Sequence, residues 1–314
     1  MIRVALDGTG GFFTIQEAVD SISDSKPETI YIKKGVYEEK LVIEKPHLTF
    51  IGEEAKETII TFSDYAKKQW NEDEIYQTFR TYTALIGANH LCFSNLTFKN
   101  EAGKGSEVGQ ALALYVDGDC IQFHDCYFLA HQDTLFTGPL PPAPIKPGSF
   151  VGPREHAKRE VGRQYFNNCY IQGDIDFIFG SATAYFEKCT LFSNALNGHS
   201  YITAASTQKE EPYGYVFESC QLLSNATPHT VFLGRPWREY AHVAFLNCYM
   251  GHHIHPLGWD DWGKLSSHDT VQFVEYNSYG PGATPHQRAS YAKVIDHPTY
   301  YTRERVLKGW NPKC

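Results

Sequence analysis

The segment FHDCYF, residues 123–128, decides the fold because its pattern returns along the chain. A Phe is followed three residues later by Cys, and two residues after the Cys by another bulky side chain. Four further copies carry the Cys: FNNCYI from Phe166, FEKCTL from Phe186, FESCQL from Phe217 and FLNCYM from Phe245. Successive copies start 43, 20, 31 and 28 residues apart. This irregular spacing excludes a helical repeat of fixed length and predicts a solenoid whose strands stay in register while its loops vary.

The cysteines of these copies are predicted to form one interior column. The two-residue step after the Cys is typical of a strand and the three-residue step before it indicates a bend, so we interpret each copy as a turn entering a short strand. Free Cys is often buried, and eight cysteines in 314 residues are too few for a disulfide scaffold. We expect denatured, unreduced protein to titrate with close to eight thiols. The column comprises Cys126, Cys169, Cys189, Cys220 and Cys248.

The rest of the chain fits an all-β domain with one short capping helix. Residues 14–17, Thr-Ile-Gln-Glu, have the form of a capping box and precede apolar residues at helical spacing, so a helix is predicted to cover the open end of the solenoid. Short β-rich runs follow, without the regular βαβ alternation of a doubly wound fold. We predict a single parallel β-helix domain over residues 1–314, with a proline-rich insert at about 138–164.

Composition and charge exclude several classes of function. The net charge is −8 without long runs of one sign, which argues against nucleic-acid binding. No apolar run approaches the roughly 20 residues that span a membrane. The start, MIRVALDGTGGFF, has neither a signal-peptide pattern nor the full glycine spacing of a dinucleotide site. With cysteines expected to be reduced, we predict a cytoplasmic protein. The alternative is a secreted protein whose leader is absent from this sequence.

Two aspartates occupy the same register of the repeat. Asp133 and Asp176 each lie seven residues after the Cys of their copy. If the coils stack without a bulge, the carboxylates lie about one strand spacing apart, roughly 4.8 Å. One of two such carboxylates tends to hold a proton, so the pair can divide acid and anion roles. On spacing alone, two solvated turn aspartates remain an equal alternative.

Neutral amides, an arginine and an aromatic residue accompany the aspartates. Gln110 opens QALAL and Gln132 precedes Asp133, and neutral amides are suitable donors to an oxyanion. In LGRPW, Arg235 offers a fixed fork to a carboxylate, and Trp237 offers a flat apolar face to a sugar. An ordinary ion pair and a core aromatic are the alternatives for these two residues.

The blocks QALAL, QDTLF, DFIFG and LGRPW, in this order, resemble the signature blocks of the pectin methylesterase (pectinesterase) family. The resemblance runs from about residue 5 to residue 283 and includes G-x-Y-x-E from Gly35, the GW-x-x-W block at Trp259 and GPGA from Gly280. It implies a right-handed parallel β-helix that hydrolyses the C6 methyl esters of methyl-esterified galacturonan with no cofactor and no metal. The sequence departs from the family in QALAL, where QAVAL is commoner, and in a long connection between QDTLF and DFIFG.

The resemblance also implies roles for individual residues. Asp176 matches the nucleophile, and Asp133 matches the general acid that then acts as base. Gln110 and Gln132 match the groups that stabilise the oxyanion, and Arg235 matches the residue that orients the nucleophile. Aromatic positions along the sugar-binding cleft are matched by Trp237, Phe136, Phe179 and Trp259.

Other functions remain as alternatives. A pectate-lyase-like or glycoside-hydrolase β-helix would cleave the sugar chain, but the paired glutamines favour acyl chemistry. A relative acting on another ester or thioester, and a non-catalytic carbohydrate-binding β-helix, are further alternatives. The run HHIH, residues 252–255, suggests a metal cluster, but a metal site needs three or four converging ligands, so we interpret the run as a polar turn on the rim.

The proline-rich insert joins the coils that carry the two aspartates. Its prolines stiffen it, and it is predicted to emerge near the cleft as a basic wall. Such a wall would close one end of the groove, bind a free galacturonate carboxylate and favour short, imported oligogalacturonides over long polymer. The alternatives are a loop that packs away from the groove and one that mediates self-association, and the oligomeric state is left open. The basic residues of the wall are Lys146, Arg154, Lys158 and Arg159.

Overall fold

The computed structural model describes residues 1–23, 26–195 and 198–313. In this part of the chain the backbone winds through successive coils, and the strands of successive coils stack into three sheets. Every pairing between two named strands is parallel. Most strands that are neighbours in a sheet are not consecutive in the chain, because each coil contributes a strand to each of the three sheets in turn. The predicted all-β, right-handed parallel β-helix is confirmed.

Within each of the three sheets, strands that are neighbours in space follow one another in sequence order. Sheet I contains β1 (Ile2–Val4), β2 (Glu28–Ile32), β5 (Leu48–Gly52), β8 (Leu91–Ser94), β11 (Ile121–His124), β14 (Arg163–Asn167), β17 (Thr183–Glu187), β20 (Tyr215–Glu218), β23 (His242–Leu246), β25 (Gln272–Tyr276) and β26 (Ala292–Val294). Sheet II contains β3 (Gly35–Glu38), β6 (Thr58–Phe62), β9 (Thr97–Asn100), β12 (Tyr127–Leu129), β15 (Tyr170–Gly173), β18 (Thr190–Ser193), β21 (Gln221–Ser224) and β24 (Tyr249–Met250). Sheet III contains β4 (Leu41–Ile43), β7 (Ala84–Ile86), β10 (Leu114–Val116), β13 (Leu135–Thr137), β16 (Ile175–Gly180), β19 (Ser200–Ala205) and β22 (Val231–Pro236).

Helices are short in the described residues. The α-helices are α1 (Ile15–Asp20), α2 (Gly105–Val108) and α3 (Arg303–Val306). Single 3₁₀ turns span Thr78–Arg80, Leu265–Asp269, Pro285–Gln287 and Thr299–Tyr301. Within the described part of the chain, no helix has the length and apolar character required to cross a bilayer.

The repeated Phe residues form a ladder inside sheet I. Phe123 pairs in register with Phe166, and the series continues through Phe186, Phe217 and Phe245. Their rings stack with centroids 4.5–4.9 Å apart. The residue two positions after each Phe has a positive φ between 51° and 55°, which makes the predicted bend. Each copy therefore starts at the end of a strand of sheet I, turns and continues into a strand of sheet II. The interpretation that a copy begins at the turn is corrected in this respect.

The cysteine column is confirmed. All five cysteines of the copies are buried and free. Each thiol lies against the carbonyl oxygen of the Phe one coil earlier, at Sγ–O distances of 3.4–3.7 Å. A small side chain with a weak donor suits this interior corner, because it fills the space and contacts the carbonyl without adding a charge.

The expectation of close to eight free thiols is wrong. Cys92 is disulfide-bonded, whereas Cys120 is free and buried like the five of the column. Cys314 lies outside the described residues. A disulfide also weakens the argument from reduced cysteines to a cytoplasmic location, because disulfides rarely persist in the cytosol.

The six free cysteines should react differently in native and unfolded protein. Because all six are buried, a thiol reagent should label them slowly in the native state and rapidly after denaturation without reductant. Labelling of intact protein followed by mass spectrometry of peptides should find these six modified and Cys92 unmodified. A disulfide between any two members of the column would contradict the assignment.

Helix α1 closes the N-terminal end of the solenoid, as the capping box predicts. The Thr14 hydroxyl accepts a hydrogen bond from the Glu17 amide at 3.2 Å. The carboxylate of Glu39, the last residue of G-x-Y-x-E, accepts from the amides of Ile15 and Gln16 at 2.8 and 2.9 Å. The acidic residue of that block thus satisfies the free amides at the start of the helix.

Candidate active site

The strand register of sheet III brings Asp133 and Asp176 together. Strand β13 pairs with β16 through Leu135 and Ile178 without a shift, so Asp133, just before β13, lies beside Asp176. Both side chains line one cavity of about 290 Å³. The prediction that equal spacing from the cysteines makes the two aspartates neighbours is confirmed.

The backbone is strained at both aspartates. Their φ angles are +62° at Asp133 and +50° at Asp176, in the left-handed region, which Asp tolerates better than most residues. On its other side, β16 pairs with β19 through a bulge between Ile175 and Ile178. A bulge re-aims a side chain, and this one lies at Asp176. It does not disturb the pairing between β13 and β16, so the neighbouring aspartates stay in register.

Arg235 holds the Asp176 carboxylate through both oxygens. Its Nε donates to Oδ1 at 2.8 Å and its Nη2 to Oδ2 at 2.7 Å. The guanidinium lies over the Tyr201 ring at 3.8 Å and over the Trp262 ring at 3.7 Å. Aromatic contacts together with a bidentate carboxylate fix the arginine plane and therefore the orientation of Asp176.

The two carboxyl groups differ in their tendency to hold a proton. Burial raises the pKa of Asp133 well above its usual range, and the neighbouring Asp176 raises it further, against a smaller opposing effect of Arg235. Burial also raises the pKa of Asp176 above its usual range, but the hydrogen bonds and charge of Arg235 oppose that rise. Because Asp176 has a bonded cation and Asp133 has none among the described residues, the pair holds its proton on Asp133.

The predicted amide and aromatic residues reach the same cavity. Gln110, Gln132, Phe179 and Trp237 all line it with the two aspartates. The backbones that carry the glutamines are fixed, since the Ala111 amide donates to the Gln132 carbonyl at 3.1 Å. The cavity thus combines an anion, an acid, two amides and flat apolar faces.

Two of the four predicted sugar-binding aromatics do not reach the cleft. Phe136 is 0% exposed and lies beneath Phe179 and Phe79, with ring centroids 5.0 and 5.1 Å away. Trp259 is 1% exposed and stacks on Phe273 at 4.2 Å inside the coil. The prediction that they contact the substrate is wrong, because both are core residues.

Phe79, Tyr201 and Trp262 belong to the site but were not predicted from the sequence. Phe79 lines the cavity from a 3₁₀ turn that no motif marks. Tyr201, on β19, gave no signal in the sequence. Trp262 belongs to the GW-x-x-W block, in which only Trp259 was assigned a role, and that block was the one available clue.

The proline-rich insert lines the cleft, but of the four basic residues predicted to form a wall only Lys146 does so. Leu140 and Phe150 are buried in the cluster around Phe79, and Ile145, Lys146 and Ser149 line the cavity. The remaining basic residues are occupied elsewhere. Arg154 pairs with buried Asp117 at 3.0 Å, Arg159 donates to backbone carbonyls of the insert itself, and Lys158 pairs with Glu160. The predicted basic wall is therefore corrected to one lysine.

The histidines of HHIH point in different directions. His253 is buried, and burial lowers its pKa to about 4. His255 stacks on Phe232 at 4.3 Å and accepts a hydrogen bond from the Leu257 amide, and His252 is exposed. Within the described residues, no group of three or more His, Cys, Asp or Glu side chains is arranged to hold a metal ion.

Comparison with known proteins gives one consistent answer. The family model described as Pectinesterase matches residues 1–139 and 155–308. Putative pectinesterase 11 of Arabidopsis thaliana is 34% identical, over 94% of this chain and 75% of that protein, and its pectinesterase 31 is 31% identical, over 94% and 87%. The solved structure of pectin methylesterase from carrot superposes with a TM-score of 0.83 at 28% identity, over 98% of this chain and 93% of that one. A pectin methylesterase in complex with a hexasaccharide gives 0.81 at 28% identity, over 100% and 98%.

Proposed function

This chain belongs to the pectinesterase family, and we propose that Asp176 and Asp133 divide its hydrolytic chemistry between nucleophile and proton donor. The protein is a carboxylic ester hydrolase that removes the methyl groups of methyl-esterified galacturonan. The observation that carries the residue assignment is the Asp176 carboxylate held by two hydrogen bonds from Arg235 beside an Asp133 whose pKa is raised.

In the first half of the reaction Asp176 attacks the ester. A carboxylate oxygen of Asp176 forms a bond to the C6 carbonyl carbon, and the carbonyl oxygen takes up negative charge. The amides of Gln110 and Gln132 line the same cavity and are suited to donate to that oxygen. Arg235 keeps the attacking group ionised and aimed, which lowers the cost of reaching the reactive geometry.

Departure of the alcohol requires a proton, and Asp133 supplies it. The bond from C6 to the methoxy oxygen breaks as Asp133 transfers its proton to that oxygen, so methanol leaves rather than methoxide. Asp176 is then joined to C6 as an anhydride-like acyl enzyme. The raised pKa of Asp133 suits this step, because it keeps a carboxyl group protonated beside an ionised one.

Water completes the cycle. Asp133, now a carboxylate, takes a proton from a water molecule whose oxygen attacks C6. The bond to Asp176 breaks, and the new C6 carboxyl group keeps the second proton of the water until it releases that proton to solvent, which leaves galacturonate with a free carboxylate. Asp133 has regained its proton and Asp176 its charge, so both groups return to their starting states. No step calls on a cofactor or a metal, because Arg235, Gln110 and Gln132 stabilise the charges that develop.

The cleft suits a sugar chain. Phe179 and Trp237 present aromatic faces to the cavity, and such faces pack against the apolar side of a pyranose ring. A relative acting on a different ester would not need this surface, and a non-catalytic binding protein would not need a buried acid beside a fixed carboxylate. The cavity geometry therefore favours catalysis on methylated galacturonan over both alternatives.

Purified protein should release methanol from highly methylated pectin at an undiminished rate in excess chelator, while the length of the sugar chain stays constant. Methanol measured by an oxidase assay and chain length measured by size-exclusion chromatography test the two parts. Shortened chains would indicate a lyase or a glycoside hydrolase. Activity lost in chelator and restored by calcium would contradict the metal-free mechanism.

A further inference from the structure

The corner between sheets II and III carries a third aspartate and a histidine that the proposed mechanism does not use. His131 and Asp174 each lie two residues before a catalytic aspartate, so the register that makes Asp133 and Asp176 neighbours also places these two one coil apart. The Asp174 amide donates to the His131 carbonyl at 3.0 Å. Both side chains line a cavity of about 570 Å³ that is separate from the catalytic cavity and shares Gln132 with it.

The Asp174 carboxylate fixes the backbone between the two catalytic aspartates. Its Oδ1 accepts a hydrogen bond from the Ile175 amide at 2.7 Å, and the Ile175 carbonyl accepts one from the Asp133 amide at 3.0 Å. The Asp174 carbonyl accepts a hydrogen bond from the Tyr201 amide at 3.2 Å. Ile175 is also where the bulge at Asp176 begins. One side chain therefore anchors the peptide that connects the acid to the bulge at the nucleophile.

The negative charge of Asp174 acts on the same acid. Its side chain is 15% exposed, and in the described part of the chain no lysine or arginine pairs with it. His131 Nδ1 lies 3.4 Å from its Oδ2, and this nitrogen makes no hydrogen bond within the described residues. The imidazole therefore neutralises the carboxylate only when both ring nitrogens are protonated. Burial is the largest cause of the raised pKa of Asp133, and the charges of Asp176 and Asp174 add to it. The charge of Arg235 opposes the rise.

We propose that Asp174 is a positioning residue for the reaction, whose carboxylate fixes the backbone between acid and nucleophile and whose negative charge holds the proton on Asp133. This inference rests on the proposed function and adds to it a residue outside the catalytic cavity. A fixed like charge makes ionisation of the acid more costly, so Asp133 keeps its proton to higher pH. His131 limits the effect, because its protonated ring cancels the charge of Asp174.

The pH profile distinguishes the charge of Asp174 from its structural role. The first half of the reaction needs a protonated Asp133, so kcat/KM should fall as the pH rises through the pKa of that group in the free enzyme. Asp174→Asn removes the charge but keeps an oxygen that can accept from the Ile175 amide. In this variant the alkaline limb should move to lower pH by about 0.5–1 unit, the size of a partly screened interaction between like charges. The measurement is the initial rate of methanol release from highly methylated pectin at low substrate concentration over a pH series.

Four further variants define the cause of the shift. Asp174→Ser also lacks the charge and should shift the limb in the same direction, whereas Asp174→Glu restores the charge and should return it toward the native position. His131→Gln changes the same corner without removing a negative charge, so its limb should not move to lower pH. Asp125→Asn removes a negative charge at an exposed turn outside the cleft and should leave the profile unchanged.

A measurement of stability tests the proposal without turnover. The gain in Tm from Asp133→Asn at alkaline pH should be smaller in protein that already carries Asp174→Asn, because the buried carboxyl is then less costly to ionise. Equal gains in the two backgrounds would overturn the proposal.

The kinetic outcomes separate this inference from the proposed function. An alkaline limb at the native pH in both Asp174→Asn and Asp174→Ser, with only the maximal rate lowered, would show a purely structural role and overturn the proposal. An equal shift in Asp125→Asn would also overturn it, because net charge would then explain the effect. Failure of the native protein to release methanol would instead contradict the proposed function, and the comparison of Tm gains would still decide whether the charge of Asp174 acts on Asp133.

Discussion

Replacing Asp176 by Asn should slow methanol release by at least about 10⁴-fold, the scale seen when a covalent nucleophile is removed. An amide cannot form the anhydride-like intermediate, so neither half of the reaction proceeds. The fold should survive, because Asn matches the shape of Asp and also tolerates the left-handed φ of +50° at this position. The measurement is the initial rate of methanol release, with circular dichroism as the check on folding.

Asp125→Asn is the matched control for this experiment. Asp125 also has a left-handed backbone, with φ +54°, but it lies at the turn between sheets I and II, outside the cleft. Its variant should release methanol at the rate of the native protein. Asp176→Asn should also melt at a lower temperature, because Arg235 loses its anionic partner in a half-buried site. A rate within tenfold of the native protein in Asp176→Asn would place the nucleophile elsewhere.

Much of the fold was predictable because one physical constraint repeats. In each coil a Phe stacks on the Phe of the next coil, and a small Cys fills the corner that follows. That requirement fixes the residues at the corner and leaves the loops free, so the pattern is visible in the sequence despite irregular spacing. The same spacing fixed the neighbouring positions of Asp133 and Asp176, since both follow the corner by the same number of residues.

The sequence could not predict what covers the cleft face of sheet III. Phe136 faces the same side as the catalytic residues, but Phe79 and Phe179 pack against it and exclude it from the cavity. Phe79 comes from a loop far from Phe136 in the chain, and spacing within a strand carries no information about such a contact. Tyr201 stayed hidden for the same reason, because its contact with Arg235 exists only between two strands of the finished sheet.

The charges of the insert show a related limit. Four basic residues of the insert, Lys146, Arg154, Lys158 and Arg159, predicted a basic wall. The fold pairs Arg154 with Asp117, which is distant in sequence, and directs Arg159 to the carbonyls of its own loop. The number of charges in the loop therefore predicted that its surface is basic, but not which residue faces the cleft. Of these four basic residues, only Lys146 lines the cavity.

Replacing Asp133 by Asn should lower the activity of the enzyme but raise the stability of its folded state. Loss of the proton donor should lower the rate of methanol release by about 10²–10⁴-fold, the usual contribution of general acid–base catalysis. The same change should stabilise the folded protein at neutral pH. A buried carboxyl beside Asp176 is costly to ionise, and this cost is what raises the pKa of Asp133 in the folded state.

The pH dependence follows from the direction of that shift. Because the pKa of Asp133 is higher in the folded than in the unfolded protein, the folded state binds the proton more tightly. The stabilising effect of that proton is fully present below the unfolded pKa, about 3.9, and is lost as the pH rises through the folded pKa. Asparagine does not ionise, so the folded state of the variant does not lose stability in this way as the pH rises.

Melting curves over a pH series test this expectation. The Tm of Asp133→Asn should match that of the native protein near pH 4 and exceed it increasingly as the pH rises, with each kcal/mol worth about 2–4 °C in domains of 150–250 residues. A Tm difference that is constant with pH would show that Asp133 is not held protonated by its surroundings. It would also remove the physical basis for its role as the acid, because a carboxyl group with an ordinary pKa would be ionised before the ester arrives.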